Sequence, residues 1–331
     1  MEQALYDPEA GYYTRAARIL GRAGDFYTAV HVHPLFGWTL AHHAASLLRP
    51  LEHPVVVEGG GGDGYLARDI LTYWQRYVPD LYERVEYWIV ESSPALQKQQ
   101  QKRLAAHLER VRWAPSPTAL PPFRGWFLAN ELLDAFPVRV FRITDQGVLE
   151  RHVGVEGDRL VWVDLPVDHG IVEELGEPLT PGMVVEMPVG WDTFFRPLCN
   201  RMRQGEGWIL DYGERRSVLR TRYPDGTLLA YRRHRVVHDV LEAPGKQDIT
   251  AFVDFDALTE LLTALGCEVA PPVRQDRFLM EAGIAEALQR YEQAYPDEGT
   301  RVRLAMKTLL FQFPTFRVVR FHKSPAPPRR T

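Results

Sequence analysis

The sequence predicts an α/β protein built on an open, mostly parallel sheet with helices on both faces. Short β-branched runs alternate with helical patterns through much of the chain, the arrangement that buries a parallel sheet on both sides. Residues 54–64 read Pro-Val-Val-Val-Glu-Gly-Gly-Gly-Gly-Asp-Gly and continue into the helix-like Tyr65-Leu66-Ala67-Arg68-Asp69-Ile70-Leu71. Strand, glycine turn and helix in that order are where such a sheet brings backbone N–H groups to a ligand. Three predicted strands also end in polar residues, at Glu58, Glu91 and Asn130-Glu131, on the carboxyl edge where ligands of this fold class sit.

The elements follow in order. Strands are predicted at 55–58, 85–90, 126–129, 207–210 and 316–321, and helices at about 64–77, 94–108, 254–265 and 301–311. Ser93 can cap the second helix, with Pro94 at its first position, where the missing N–H costs nothing. Asp254-Phe255-Asp256-Ala257-Leu258 opens the third, and Gly266 is placed to end it. Residues 138–165 alternate over short spans around Asp145-Gln146-Gly147 and Glu156-Gly157-Asp158, which reads as an antiparallel insertion. Residues 214–250, rich in Arg and Tyr and poor in periodicity, read as a long loop. The expectation is one domain over 1–322, with an N-terminal cap over 1–50 and a disordered tail over 323–331.

Composition bounds the function. With 45% hydrophobic and 25% charged residues the 331-residue chain has a globular balance. Lys+Arg 39 against Asp+Glu 43 leaves a net charge of −4 and no basic field for nucleic acid. Cys199 and Cys267 are too few for a disulfide framework or a cysteine metal site. No apolar run reaches the roughly 18 residues of a membrane span. The opening Met1-Glu2-Gln3-Ala4-Leu5-Tyr6-Asp7 is neither a signal nor a transit segment, so the expectation is a cytoplasmic protein.

Two cofactors fit the glycine turn. Gly59, Gly61 and Gly64 satisfy the dinucleotide pattern G-x-G-x-x-G, whereas Glu58, Gly60, Gly62 and Gly64 satisfy acid-x-G-x-G-x-G, the pattern of S-adenosylmethionine (SAM) methyltransferases. Glu58 favours the second, because an acid inside the loop repels a pyrophosphate but suits the cationic amino and sulfonium groups of SAM. The alternative makes Glu58 a helix-cap partner and the glycines a tight turn, and the three polar strand ends together weigh against it. Glu91, at the next strand end, can accept from both ribose hydroxyls. Asn130 and Glu131 place polar groups at the same edge, although Asn130 would also serve as a helix cap.

The chain resembles the MidA family, class I SAM-dependent methyltransferases that include a mitochondrial complex I assembly factor with protein arginine methyltransferase activity. The blocks that carry the resemblance run in order from Ala4-Leu5-Tyr6-Asp7-Pro8 through Gly21-Arg22-Ala23-Gly24-Asp25-Phe26-Tyr27-Thr28 to Ala129-Asn130-Glu131, Asp134-Ala135 and Pro137-Val138. Ile209-Leu210-Asp211-Tyr212-Gly213, Ala230-Tyr231-Arg232-Arg233-His234-Arg235 and Asp248-Ile249-Thr250 follow. The resemblance implies a Rossmann-like class I methyltransferase sheet with an antiparallel insertion and additional helices. It also implies a SAM pocket formed by Gly24, Asp25, Phe26, Glu58, Gly60, Gly62, Gly64, Glu91 and Ser92, with S-adenosylhomocysteine (SAH) as product. Departures are Gly61 in place of the usual proline, Ala29-Val30-His31-Val32-His33 after the threonine, and Pro115 near the third strand end.

Methyl transfer needs alignment of donor and acceptor rather than a metal or protein nucleophile. An arginine acceptor stays protonated, with a pKa above about 12, so carboxylates must grip its planar fork and assist proton loss. Glu131 is assigned the principal catalytic role and Asp134 a second one, with turn capping as the alternative for Asp134. Tyr231 and Asp248 are assigned to the substrate channel, and His234 to proton uptake. His31 and His33 read as a structural pair without metal. The implied partner is a protein substrate, a respiratory NADH dehydrogenase subunit by resemblance. The other readings are a SAM methyltransferase for a small molecule and a non-catalytic, SAM-binding assembly factor.

Overall fold

The computed structural model describes residues 1–14, 29–232 and 235–325 of the chain. The central sheet begins with β1 (Val55–Gly59), β2 (Glu86–Val90), β3 (Val111–Ala114) and β4 (Phe123–Asn130). β1 pairs in parallel with β2 on one side and β4 on the other, and β2 with β3. The chain thus runs outward to β3 and returns across β1 to β4, which makes the carboxyl end of β1 the point where strand order reverses. That crevice is the ligand position of open α/β sheets.

After β4 the chain builds a four-stranded antiparallel sheet from β5 (Val138–Thr144), β6 (Gly147–Glu156), β7 (Arg159–Pro166) and β8 (Val184–Pro188), in the order β7-β6-β5-β8. The insertion therefore extends past the predicted boundary at 165, because β8 pairs back onto β5 across an intervening helix, His169–Leu175. β9 (Met202–Glu214) then rejoins the central sheet parallel to β4.

The span 214–250, predicted as a long loop, instead holds a helix at Arg216–Arg222 and the strands β10 (Leu229–Arg232), β11 (Arg235–Val237) and β12 (Asp248–Thr250). Strands of three or four residues are too short to show periodicity, and these gain their pairing only from each other. β13 (Val253–Asp254), β14 (Glu268–Val269), β15 (Val273–Arg274) and β16 (Phe316–Lys323) complete the sheets. β16 runs antiparallel to β9, giving the order β14-β16-β9-β4-β1-β2-β3. Lys323, assigned to a disordered tail from sequence, is the last residue of β16, and residues 326–331 of that tail lie outside the described residues.

Alternation along the strands divides the core. Val56, Trp126, Leu128, Trp208 and Leu210 face a layer containing Leu35–Leu48 and Tyr65–Tyr77, whereas Val57, Phe127, Ala129 and Ile209 face Phe195, Leu198, Leu258 and Leu262. Because both faces are buried, the strands read as continuous apolar runs. The caps form as expected: Ser93 Oγ accepts from Leu96 N–H at 3.4 Å ahead of Pro94, and Asp254 Oδ1 accepts from Asp256 and Ala257 N–H at 2.9 and 3.0 Å.

Candidate active site

The cleft at the carboxyl edge of β1, β2 and β4 is lined by Glu58, Gly60, Gly61, Gly62, Glu91, Ser92, Asn130, Glu131, Asp134 and Asp248, among others. Residues far apart in sequence therefore meet in one place. Glu58 is buried and accepts from the Tyr87 hydroxyl at 2.8 Å. Burial pushes its carboxyl up to about 8 against the lowering effect of Tyr87, so near neutrality it carries a proton that a cationic group would displace.

Glu91 is fixed on both oxygens. Oε1 accepts from Ser93 N–H at 2.9 Å and Oε2 from Gln100 Nε2 at 3.2 Å, while burial raises its carboxyl above the usual range. Gln100, fully buried, also donates to the Gly62 carbonyl at 2.9 Å and accepts from Trp113 Nε1 at 2.8 Å. It ties the glycine turn to the acid on the next strand. Sequence reasoning missed it, since a glutamine in a polar helical stretch gives no signal of burial.

Gly62 has φ +50°, and a Cβ built there meets nothing within 4 Å. Its Cα therefore faces open cleft, a backbone surface against which a ligand can close. Gly64, predicted in the same pocket, instead packs on Gln100 at the start of the helix Tyr65–Tyr77 and does not line the cleft. Gly62→Ala is expected to cost roughly 1 kcal/mol of stability for the left-handed backbone. It should weaken SAH binding by about tenfold or more, because a methyl occupies the approach to the turn; calorimetric titration beside thermal unfolding separates the two effects.

At the end of the cleft beside β4, Asn130 Nδ2 donates to Glu131 Oε1 at 3.2 Å. Burial, then the neighbouring Asp134, pushes the Glu131 carboxyl up to about 8. Asp134 Oδ2 accepts from the Tyr212 hydroxyl and from Thr250 Oγ1, the latter at 2.9 Å. Neither Asn130 nor Asp134 caps the turn that follows β4. The N–H groups of Leu132, Leu133 and Asp134 go instead to Asp211 Oδ2 at 3.2, 2.9 and 3.4 Å. Asn130 Oδ1, Glu131 Oε2 and Asp134 Oδ1 are buried without a hydrogen-bond partner among the described residues. Buried polar atoms left unpaired are costly, while the Glu131 carboxyl also has the backbone N–H of Ala29 beside it and the Asp134 carboxyl those of Asp134 and Ala135.

The N-terminal segment closes over this end. The Tyr6 hydroxyl donates to the Ala135 carbonyl at 2.9 Å and that of Tyr13 to Asp248 Oδ1 at 2.8 Å, with the two rings stacked at 5.5 Å. Tyr231 lies opposite Asp248 in the β10–β12 register but does not line the cleft; its phenol is raised by burial and by Asp134, Asp248 and Glu131. His31, read as structural, lines the cleft and pairs with Asp63 at 3.3 Å, whereas His33 is buried with Nδ1 accepting from Leu35 N–H at 3.1 Å. Gly24, Asp25, Phe26 and His234 lie outside the described residues. Among the described residues no cluster of three or more metal-ligating side chains occurs, and no helix is long and apolar enough to cross a membrane.

Fold and site together define a SAM-dependent methyltransferase, and the comparisons agree. The chain belongs to the family whose description reads "Putative S-adenosyl-L-methionine-dependent methyltransferase", which matches residues 38–273. It is similar to a Burkholderia thailandensis protein crystallised with S-adenosyl-homocysteine, with a TM-score of 0.88 and 31% identity over 98% of this chain and 87% of that one. Among curated relatives, Protein arginine methyltransferase NDUFAF7, mitochondrial, of Danio rerio is 29% identical, covering 87% of this chain and 73% of its own length. The Mus musculus protein of that name is also 29% identical, covering 86% and 70%. The expectation of a cytoplasmic protein is overturned by these relatives, which are mitochondrial.

Proposed function

We propose that the protein methylates an arginine side chain of a partner protein, with a respiratory NADH dehydrogenase subunit as the partner that the family resemblance implies. The observation that carries the acceptor is the pair of carboxyls, Glu131 and Asp134, that line the cleft with Asn130, beside Asp248 and the rings of Tyr6 and Tyr13. A guanidinium offers donors in a planar fork that suits paired carboxylates, and its face can stack on tyrosine. The name carried by the curated relatives supports the same acceptor.

In this reading Glu58, Gly60, Gly62, Glu91 and Ser92 hold the cofactor. Glu58 faces its cationic end, Glu91 accepts from the ribose hydroxyls, Gly62 allows close backbone approach, and Gly60, packed against Leu132, completes the turn. SAM supplies the methyl group and leaves as SAH. Glu131 and Asp134 grip the guanidinium and hold charge on its far nitrogens while the near nitrogen points along the transfer axis. The acceptor nitrogen gains a methyl group and the guanidinium loses one N–H proton, which passes to the Glu131 carboxylate and on to solvent.

The pH dependence has a definite sign. The Glu131 carboxyl, raised to about 8, holds a proton at neutral pH and must release it to receive a cation. Affinity for Nα-acetyl-arginine amide is therefore expected to rise with pH up to about 8, with up to about one proton released on binding at pH 7. Calorimetry in buffers of different ionisation enthalpy measures that release; pH-independent binding with no release contradicts it. The function itself is tested by incubating the enzyme with methyl-labelled SAM and protein or metabolite fractions. Label on peptide arginine supports the proposal. Label confined to metabolites identifies a small-molecule methyltransferase, and SAH binding without turnover a non-catalytic assembly factor.

A further inference from the structure

We propose that Asp211 is the positioning residue of the acceptor-side turn and holds Glu131 in the backbone conformation that aims its carboxyl into the cleft. The proposal rests on the reading of Glu131 as the acceptor-side carboxylate. Glu131 has φ +50° and is the one non-glycine residue with positive φ among the described residues. A side chain in that region persists only where its surroundings enforce it.

Two sets of bonds supply the enforcement. Glu131 N–H donates to the Leu210 carbonyl at 2.8 Å, which extends the β4–β9 ladder by one residue. The next three N–H groups, from Leu132, Leu133 and Asp134, all turn onto Asp211 Oδ2. Oδ1 accepts from Tyr212 N–H at 2.9 Å, so the carboxyl is fixed through both oxygens. Asp211 is fully buried, forms no ion pair among the described residues and does not line the cleft. A buried carboxyl without a cation is costly, and the turn's N–H groups are what it serves. Consecutive residues of β9 thus divide one task, Asp211 holding the backbone of the turn and Tyr212 the Asp134 side chain.

Asp211→Asn tests this, since an amide sets an NH2 donor against the turn's N–H groups. The expected result is that amide exchange over 131–135 accelerates by at least about tenfold, while exchange over 59–64 stays within about twofold. Affinity for Nα-acetyl-arginine amide is expected to fall by about tenfold and SAH affinity to stay within about twofold. Unchanged exchange over 131–135 overturns the proposal. So does uniform acceleration across the sheet with loss of SAH binding, the signature of a general structural role. Should the asparagine variant not fold, Asp211→Ser retains one acceptor oxygen in a smaller side chain and is judged by the same readouts. Glu131→Gln, measured in parallel, keeps the two readings apart. Unaltered binding of the arginine probe there removes the acceptor-side reading, while exchange over 131–135 in the Asp211 variant still decides whether Asp211 holds the turn.

Discussion

Glu131→Gln is expected to lower methyl transfer by about 10²–10⁴-fold, the range for loss of a positioned acid–base group, with SAH affinity held within about threefold. Glutamine matches the shape and keeps the oxygen that accepts from Asn130, but it cannot take a proton or carry charge toward a guanidinium. The neutral side chain also removes a buried acid whose carboxyl stands near 8, so thermal stability is expected to hold or rise at pH 8. Loss of activity without loss of stability or cofactor binding identifies a chemical role. Full activity in a folded variant would transfer that role to Asp134.

Glu91→Ala is expected to weaken SAM and SAH binding by on the order of 100-fold. Hydrogen bonds to a charged acceptor contribute about 1.5–3 kcal/mol each, and two ribose hydroxyls can reach one carboxylate. Part of the loss is indirect, because Gln100 loses the partner that ties it to this strand end. Glu91→Gln separates the components: the amide oxygen can keep the Ser93 N–H bond while the charge is gone, so a loss of about tenfold is expected. Calorimetric titration with both ligands gives each value. Binding indifferent to both changes would place the ribose elsewhere in the cleft.

The parts of the site legible in sequence are those written by local chemistry. Glu58 with Gly60 and Gly62, Glu91, and Asn130-Glu131 each stand at the end of an apolar strand, and the structure brings them to one cleft. Gln100 and Asp211 were not legible as parts of the site. Gln100 sits in a run of glutamines and lysines whose one buried member is set by packing against the glycine turn. Asp211 could be seen only as one residue of a family block, because its partners lie 77–79 positions away on another element. The short strands β10 to β12 escaped notice for a related reason, since each is stabilised by its neighbours rather than by its own pattern.

The sequence by itself determined the parallel strands, the glycine turn, the helix caps and the acids at the strand ends. Each depends on residue type and spacing within about a dozen positions, the range over which periodicity and capping act. Tertiary structure alone decided that Gly64 packs on Gln100 behind the turn, that the N-terminal tyrosines close the end of the cleft beside Glu131, and that Asp211 rather than Asn130 or Asp134 caps the turn after β4. The first follows from packing against Gln100, and the other two from which buried donors and acceptors the folded chain brings within about 3 Å of one another; only the crossing of distant elements sets that.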